Sequence, residues 1–506
     1  MTRPTQNSPG PPSAIDRSEL ERHFARFRAN IVGIEQTFVS PFGERPLIYA
    51  DWTASGRLYR PIEERMLHDF GPFVGNTHSG STVTGARMTE AYHLARRRIK
   101  DAVHAGSEDV IVTAGSGMTT VVNKLQRILG LRVPEVLRRR CELPESDRPV
   151  VFITHMEHHS NQTSWLETLA DVVAVEPDER GLVSVENLDR ELARFRGRTR
   201  KIGAFTACSN VTGVRVPYHD LARVMHAHGG VCFVDFAASA PYVEIDMHPH
   251  DPDARLDAVY FSPHKFLGGP GTSGVLIFAS ALDRNEVPDQ PGGGTVDWTN
   301  PWGGRRYVSD LEAREDGGTP GFLQAIRTAL CFELKERMGV DRMLAREEEL
   351  NTRIFAGLGA IPGLHLLAEH LEDRQSIFSF FVEGVHYNLI VQLLNDRFGI
   401  QTRGGCSCAG TYGHYLLHVS PARSERITAL IDSGDLSAKP GWVRMSLHPT
   451  TTDGEADLIV AAIRETAERA KEWEADYLYD PHENAFRCRR PVNDGDPVAG
   501  WFTLPE

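Results

Sequence analysis

The sequence predicts an α/β protein: a large domain on a mainly parallel sheet with helices on both faces, then a smaller α+β domain. Three observations carry this. Four short apolar runs recur at about the spacing of one βα unit, PVVFITH (149–155), IGAFTAC (202–208), VCFVDFA (231–237) and LDAVYFS (256–262), with SGVLIFA (273–279) as a fifth. Between them lie 184–197 and 217–228, with charges on one face, which read as helices. Strands alternating with helices make a parallel sheet covered on both sides. Beyond residue 321 the pattern changes to SIFSFFVEG, NLIVQLLNDRFGI, GWVRMSLH and DGEADLIVAAIRETAERAKEW, which suits an α+β domain.

In chain order, residues 1–17 are rich in Pro, Ser and Gly without an apolar run, and read as a disordered arm and not as a signal peptide. Residues 18–45 form an N-terminal helical segment, amphipathic over 18–39, and PFGERPLIYAD opens the folded body as a short strand. The large domain spans 46–325 and the small domain 326–470, joined by a helical stretch over 321–357. Residues 471–506 read as an irregular tail packed on the body. Segment 281–316, with WTNPWGGRRY, is a long aromatic- and glycine-rich loop of the kind that contacts partners or serves function. No internal repeat is present.

Composition narrows the class. With 506 residues, 41% hydrophobic and 24% charged, the chain can bury a large core. A net charge of −13 argues against broad attraction to nucleic acid or anionic membrane. No apolar stretch approaches the length of a membrane span. Seven scattered cysteines point to a reducing compartment, the cytoplasm.

The chemistry gathers at the strand ends, where ligands of such sheets bind. FSPHKFLGGPGTSGV places Lys265 after a strand, behind Ser262 and His264 and before a glycine-rich turn. Asp235 closes the preceding run. A lysine for an aldehyde and an acid for a pyridinium nitrogen are what pyridoxal phosphate needs, and the chain reads as an enzyme of that cofactor. Asp235 would otherwise be a helix cap. IVTAGSGMTTVVNKL sets Gly115, Ser116, Gly117 and Met118 between a strand and a helix, a phosphate cradle of free N–H groups, with Ser116 and Thr119 as hydroxyl donors. THMEHHSNQTSW follows a strand, and His158 can stack on a pyridine ring, while His159 reads as structural. Arg444, alone in an apolar strand, suits a substrate carboxylate or an internal salt bridge. Asn76 stands with it as a substrate-binding candidate.

The run QTRGGCSCAGTYGH carries Cys406 and Cys408 in a mobile loop. Three roles compete for them, beside the reading that they are inert thiols: half a metal site, for which no second cysteine pair exists; a redox dithiol; or a nucleophilic thiolate presented to a cofactor-bound substrate. No metal site is expected.

In this order the motifs resemble the class V aminotransferase family of fold-type I pyridoxal-phosphate enzymes, and within it the cysteine desulfurase and selenocysteine lyase branch. The resemblance runs from YADWTASG near residue 49 to HPTTTDGEADLIVAAI near 463. It implies a seven-stranded-type sheet and gives each motif residue a role. Lys265 carries the cofactor, Ser262 and His264 contact its phosphate, His158 stacks on its ring, Asn210 of CSNVTG lies beside it and Asp235 binds its nitrogen. Thr319 of DGGTPG reaches the phosphate of a neighbouring subunit, Arg444 holds the substrate carboxylate, and the enzyme is a homodimer. Two departures stand out. Ala238 replaces a frequent glutamine, with Ser239 next. Where one desulfurase group carries R-x-G-H-H-C, this chain has Arg403, Gly404, Gly405, Cys406, Ser407 and Cys408, which keeps a cysteine at the catalytic place and removes two histidines. The resemblance implies sulfur or selenium removal from L-cysteine-type substrates through Lys265 and a persulfide on Cys408, with a sulfur-acceptor protein as partner. Its rivals are a transaminase, β-eliminating lyase or epimerase that ignores the thiols, and a non-catalytic sulfur carrier on the same fold.

Overall fold

The structure is a computed structural model that describes residues 17–77, 79–141, 143–490, 492 and 497–504. All but Arg17 of the expected N-terminal arm therefore lies outside the described residues. The large sheet has seven strands: β1 (Asp109–Ala114), β2 (Val150–Thr154), β3 (Asp171–Val175), β4 (Lys201–Thr206), β5 (Val231–Asp235), β6 (Ala258–Phe261) and β7 (Gly274–Ala279). They lie side by side in the order β1-β7-β6-β5-β4-β2-β3. Strands β3, β2, β4, β5 and β6 run parallel. β7 runs against both its neighbours, which returns β1 to the direction of β6. The carboxyl ends of β1, β2, β4, β5 and β6 therefore share one edge of the sheet.

Burial explains the composition of these strands. Every residue of β2, β4, β6 and nearly all of β5 and β7 is buried, because helices cover both faces. One face packs on a core that includes Phe152, Val234 and Phe332, the other on a core with Trp165, Phe233 and Leu276.

The small domain carries an antiparallel sheet of β8 (Leu364–Leu366), β9 (Ile377–Val382), β10 (Arg403–Gly405) and β11 (Trp442–Ser446), in the order β8-β9-β11-β10. The 21-residue helix Asp453–Trp473 packs beside it and starts on a capping box between Thr452 and Glu455. The connecting helical stretch is two helices, Phe322–Met338 and Val340–Gly359, broken where Gly339 takes φ +81°.

Three segments differ from the sequence expectation. The N-terminal helix covers only Arg17–Arg28; Gly33 turns at φ +76°, and Thr37–Ser40 pairs with Gly43–Pro46 as a hairpin. Short strand Ile48–Tyr49 pairs with Ile400–Gln401, so this early segment packs with the small-domain core through Ile48 and Ala50. The tail expected to be irregular contains a hairpin, Tyr477–Asp480 with Ala485–Cys488, whose Tyr477 and Phe486 pack on Leu389, Leu393 and Trp473. Segment 281–316 likewise contains a hairpin, Val296–Thr299 with Arg305–Tyr307, that leaves Trp298 and Trp302 exposed. Among the described residues no helix is long and apolar enough to cross a membrane.

Candidate active site

The shared edge of the sheet opens into a cavity of about 480 Å³. Asp235 is the last residue of β5, between Thr206 on β4 and Tyr260 on β6, so its carboxyl stands at the strand end. One of its oxygens accepts the Ala237 N–H at 2.8 Å. Lys265 ends the short turn Pro263–Lys265 that follows β6 and lines the same cavity. Burial disfavours both charges. It pushes the Lys265 ammonium down to about 8 and the Asp235 carboxyl up to about 6, and each partly restores the other's charge.

His158 caps the helix His159–Leu166 just beyond β2. Its Nδ1 accepts the Ser160 N–H at 3.1 Å, so the ring proton sits on Nε2. Burial, helped by the Lys265 charge, lowers it to about 3. The imidazole is neutral and lines the same cavity as Asp235.

The opposite wall is the turn between β1 and the helix Met118–Ile128. The first N–H groups of a helix have no intrahelical acceptor. Here the Met118 N–H donates to Ser262 Oγ at 2.8 Å, which leaves the Ser262 hydroxyl proton free to donate. A Cβ on Gly117 would stand 3.0 Å from that Oγ and 3.6 Å from His264 Nε2. Gly115 needs its glycine conformation, at φ +55°. Glycine thus keeps open a cradle of N–H and O–H donors at a helix N-terminus, where an anion is favoured. Thr119 Oγ1 and Ser160 Oγ, 2.7 Å apart, close its rim.

The third wall comes from the small domain and the thiol loop. Arg444 on β11 pairs with Arg403 on β10 in register, and both meet Asp51. Arg444 donates to Asp51 Oδ1 at 2.7 Å and Arg403 to Oδ2 at 3.1 Å. A second Arg444 nitrogen donates to the Asn210 carbonyl at 3.2 Å, and Nε is buried without a partner. The internal salt bridge, one of the two alternatives for Arg444, is thus made to Asp51, and the side chain also lines the cavity. The loop expected to be mobile is tied down. Asn210 Nδ2 donates to the Ser407 carbonyl at 2.7 Å and the His159 N–H to the Cys408 carbonyl at 2.8 Å. Cys408 lines the cavity and Cys406 does not. All seven cysteines are free, and among the described residues no three His, Cys, Asp or Glu are placed to hold a metal.

Of the residues singled out in the sequence, Ser116, Gly117, Met118, His158, Asn210, Asp235, Ser262, His264, Lys265, Cys408 and Arg444 line this one cavity. Thr319 and Asn76 do not; both are exposed elsewhere on the chain. Ala238 lines it, so the place of the family's glutamine is open space, and neighbouring Ser239 does not reach in. Sequence reasoning missed Asp51, Arg403 and Glu157 as site residues. Asp51 sits in YADWTASG just after a strand, a signal of the kind that marked Asp235. Glu157 is fully buried behind the site: Oε1 accepts from Thr154 N–H, Thr154 Oγ1 and Thr206 N–H, and Oε2 from Asn161 at 2.7 Å. Burial still pushes it up to about 7.

Pyridoxal phosphate fits this donor set. Lys265 and Asp235 are buried in one cavity, the Gly117 cradle would be filled by a single methyl, and the buried Asn210 Oδ1 lacks a protein partner. An aldehyde would meet Lys265, a pyridinium Asp235 and a phosphate the cradle. Such a cavity at the carboxyl edge of a mainly parallel sheet defines a pyridoxal-phosphate enzyme. The chain belongs to the class-V aminotransferase family, whose model matches residues 48–459.

Curated relatives match it over about three quarters of its length. It is 28% identical over 384 residues to a probable cysteine desulfurase of Halalkalibacterium halodurans, a match covering 75% of this chain and 88% of that protein. It is 27% identical over 383 residues to a probable cysteine desulfurase of Staphylococcus aureus, covering 75% and 87%. Among solved structures, a cysteine desulfurase from Thermococcus onnurineus in its apo form superposes with TM-score 0.69 at 21% identity, over 88% of this chain and 98% of that one. The cysteine desulfurase CsdA of Escherichia coli superposes with TM-score 0.67 at 24% identity, over 88% and 98%. At these identities the superpositions establish the shared fold.

Proposed function

We propose that the protein is a cysteine desulfurase-type enzyme that moves the sulfur of L-cysteine, or the selenium of its analogue, to Cys408 and leaves alanine. The observation that carries this is the meeting of Cys408, Lys265 and Arg444 on the walls of one cavity, from three distant parts of the chain. The names of the relatives support the same reading.

Each residue has a task that its surroundings suit. The Arg444 and Arg403 guanidinium groups face the cavity and would orient the substrate carboxylate, with Asp51 holding both in place. Bound pyridoxal phosphate supplies an electron sink next to the substrate α-carbon. Lys265, whose ammonium burial brings down to about 8, accepts the α-proton in its neutral form. Neutral His158 flanks the ring site without adding charge. The Cys408 thiolate then attacks the substrate sulfur. The carbon–sulfur bond breaks with its electron pair left on carbon, which takes a proton to become alanine, while Cys408 keeps the sulfur as a persulfide. A sulfur-acceptor protein or a small thiol would discharge it. The working form is a cytoplasmic homodimer in which Thr319, exposed on each chain, completes the partner's phosphate site.

Incubation of the cofactor-loaded protein with L-cysteine and a reductant tests this directly. Equal alanine and sulfide from wild type, lost in Cys408→Ala, is expected. One observation favours a second activity: Cys406 and Ser407 stand where two histidines precede the thiol in the related branch. If the cofactor spectrum responds to amino acids but no alanine forms, the desulfurase reading falls and a transaminase or β-eliminating lyase takes its place.

A further inference from the structure

The backbone that presents Cys408 is unusual. Ser407 and Cys408 are consecutive non-glycine residues at φ +51° and +56°. L-residues visit this left-handed region singly and at a cost, and keep it only where the surroundings over-determine it.

Two of the contacts that hold this turn come from one residue. The His159 N–H donates to the Cys408 carbonyl at 2.8 Å, and His159 Nε2 accepts the Gly410 N–H at 2.9 Å. His159 is the first residue of its helix, so its N–H has no acceptor there and is free for the loop. Its ring lies against Gly410, where a Cβ would come within 3.2 Å of Nε2. One turn further on, Gln162 and Thr411 exchange hydrogen bonds at 2.8 and 2.9 Å. The acceptor role of Nε2 places the ring proton on Nδ1. Successive histidines therefore divide the work: His158 faces the cofactor cavity and His159 holds the backbone just after the thiol-bearing residue, at the Cys408 carbonyl and the Gly410 N–H.

We infer that His159 is a positioning residue that fixes the Cys408 thiol at the cavity wall by clamping the loop to the turn that carries His158. This rests on the proposed role of Cys408 in sulfur transfer, but the clamp can be read without turnover. The experiment compares holoenzyme of wild type, His159→Phe and His159→Gln. It measures iodoacetamide alkylation of Cys408, resolved from Cys406 by peptide mass spectrometry, and amide exchange over residues 407–410, with the visible cofactor spectrum as the check that each variant is folded and loaded. Phe fills the ring volume and removes the acceptor. It should speed alkylation and exchange about fivefold, the equivalent of one lost hydrogen bond. Gln restores an acceptor and should bring both rates back towards wild type. Wild-type rates in His159→Phe, or the same rates in Phe and Gln variants, would overturn the clamp. Alanine formation that survives Cys408→Ala would instead remove the thiol from the chemistry and leave the labelling result standing.

Discussion

Asp51 and Arg444, 393 positions apart in the chain, are joined by a 2.7 Å ion pair at the cavity wall, and the second oxygen of Asp51 takes Arg403 at 3.1 Å. Arg444 is almost fully buried, and burial alone would lower its hold on a proton. Asp51 opposes that, and its segment docks on the small-domain sheet through a bridge to Ser446. One carboxylate thus both neutralises a buried cation and fixes the wall against which a substrate carboxylate would rest.

Removing that carboxylate should therefore cost more than removing the exposed arginine. Asp51→Asn leaves Arg444 buried without a counter-charge and should destabilise the fold by about 3 kcal/mol. Arg403→Ala breaks a half-exposed pair and should cost less than about 1 kcal/mol. Urea unfolding of the two variants measures the difference; equal costs would show that Asp51 is not the anchor of Arg444.

Cofactor binding should depend on the ionisation of Asp235. Burial raises this carboxyl from 3.8 to about 6, so the folded apoprotein keeps its proton where the unfolded chain has lost it. The penalty grows as pH rises between those values and is complete above about 6, where a pyridinium partner would relieve it. Affinity for pyridoxal phosphate should rise as pH increases through about 6, beyond the change seen with Asp235→Asn. Equilibrium dialysis of the two apoproteins across this range reads the difference, and parallel profiles would remove Asp235 from the ring-nitrogen role.

Capture of the cofactor aldehyde needs a neutral amine at Lys265. Burial lowers this lysine from 10.5 to about 8, so the neutral fraction grows as pH rises and saturates above that value. The rate of borohydride-trappable attachment should increase about tenfold per pH unit below 8 and level off above it. Lys265→Ala should give no trapped adduct in intact-mass measurements.

The cradle predicts a separation of binding from folding. Gly117 lies at φ 174°, extended backbone open to any residue, so Gly117→Ala should change stability by less than about 1 kcal/mol. The new methyl would stand 3.0 Å from Ser262 Oγ, inside the space read as the phosphate site. Cofactor affinity should fall about tenfold, the effect of roughly 1.4 kcal/mol. Unchanged affinity would place the phosphate elsewhere.

Much of this molecule was legible in its sequence. The apolar runs became strands β2, β4, β5, β6 and β7 because both their faces are covered, which makes a strand read as continuous Val, Phe and Ile. The residues that close those runs fell together because strand ends of a parallel sheet share an edge. The N-terminal helix stops short of residue 39, although polar periodicity carries past the turn at Gly33. Of the two hairpins after residue 280, one leaves Trp298 exposed and the other buries one aromatic per strand, Tyr477 and Phe486, so neither shows a strand period.

By itself the sequence determined the α/β class, the family and the motifs that carry Lys265, Asp235, His158 and the glycine turn, since each motif is a short run of neighbouring residues. Only the tertiary structure decided that Asp51 joins Arg403 to Arg444, that Glu157 ties β2 to β4 behind the site, and that His159 and Asn210 hold the Cys408 loop. Those contacts link positions tens to hundreds of residues apart. No periodicity or spacing encodes such pairs; they arise when two domains and a loop close over one cavity and their buried charges and N–H groups must find partners.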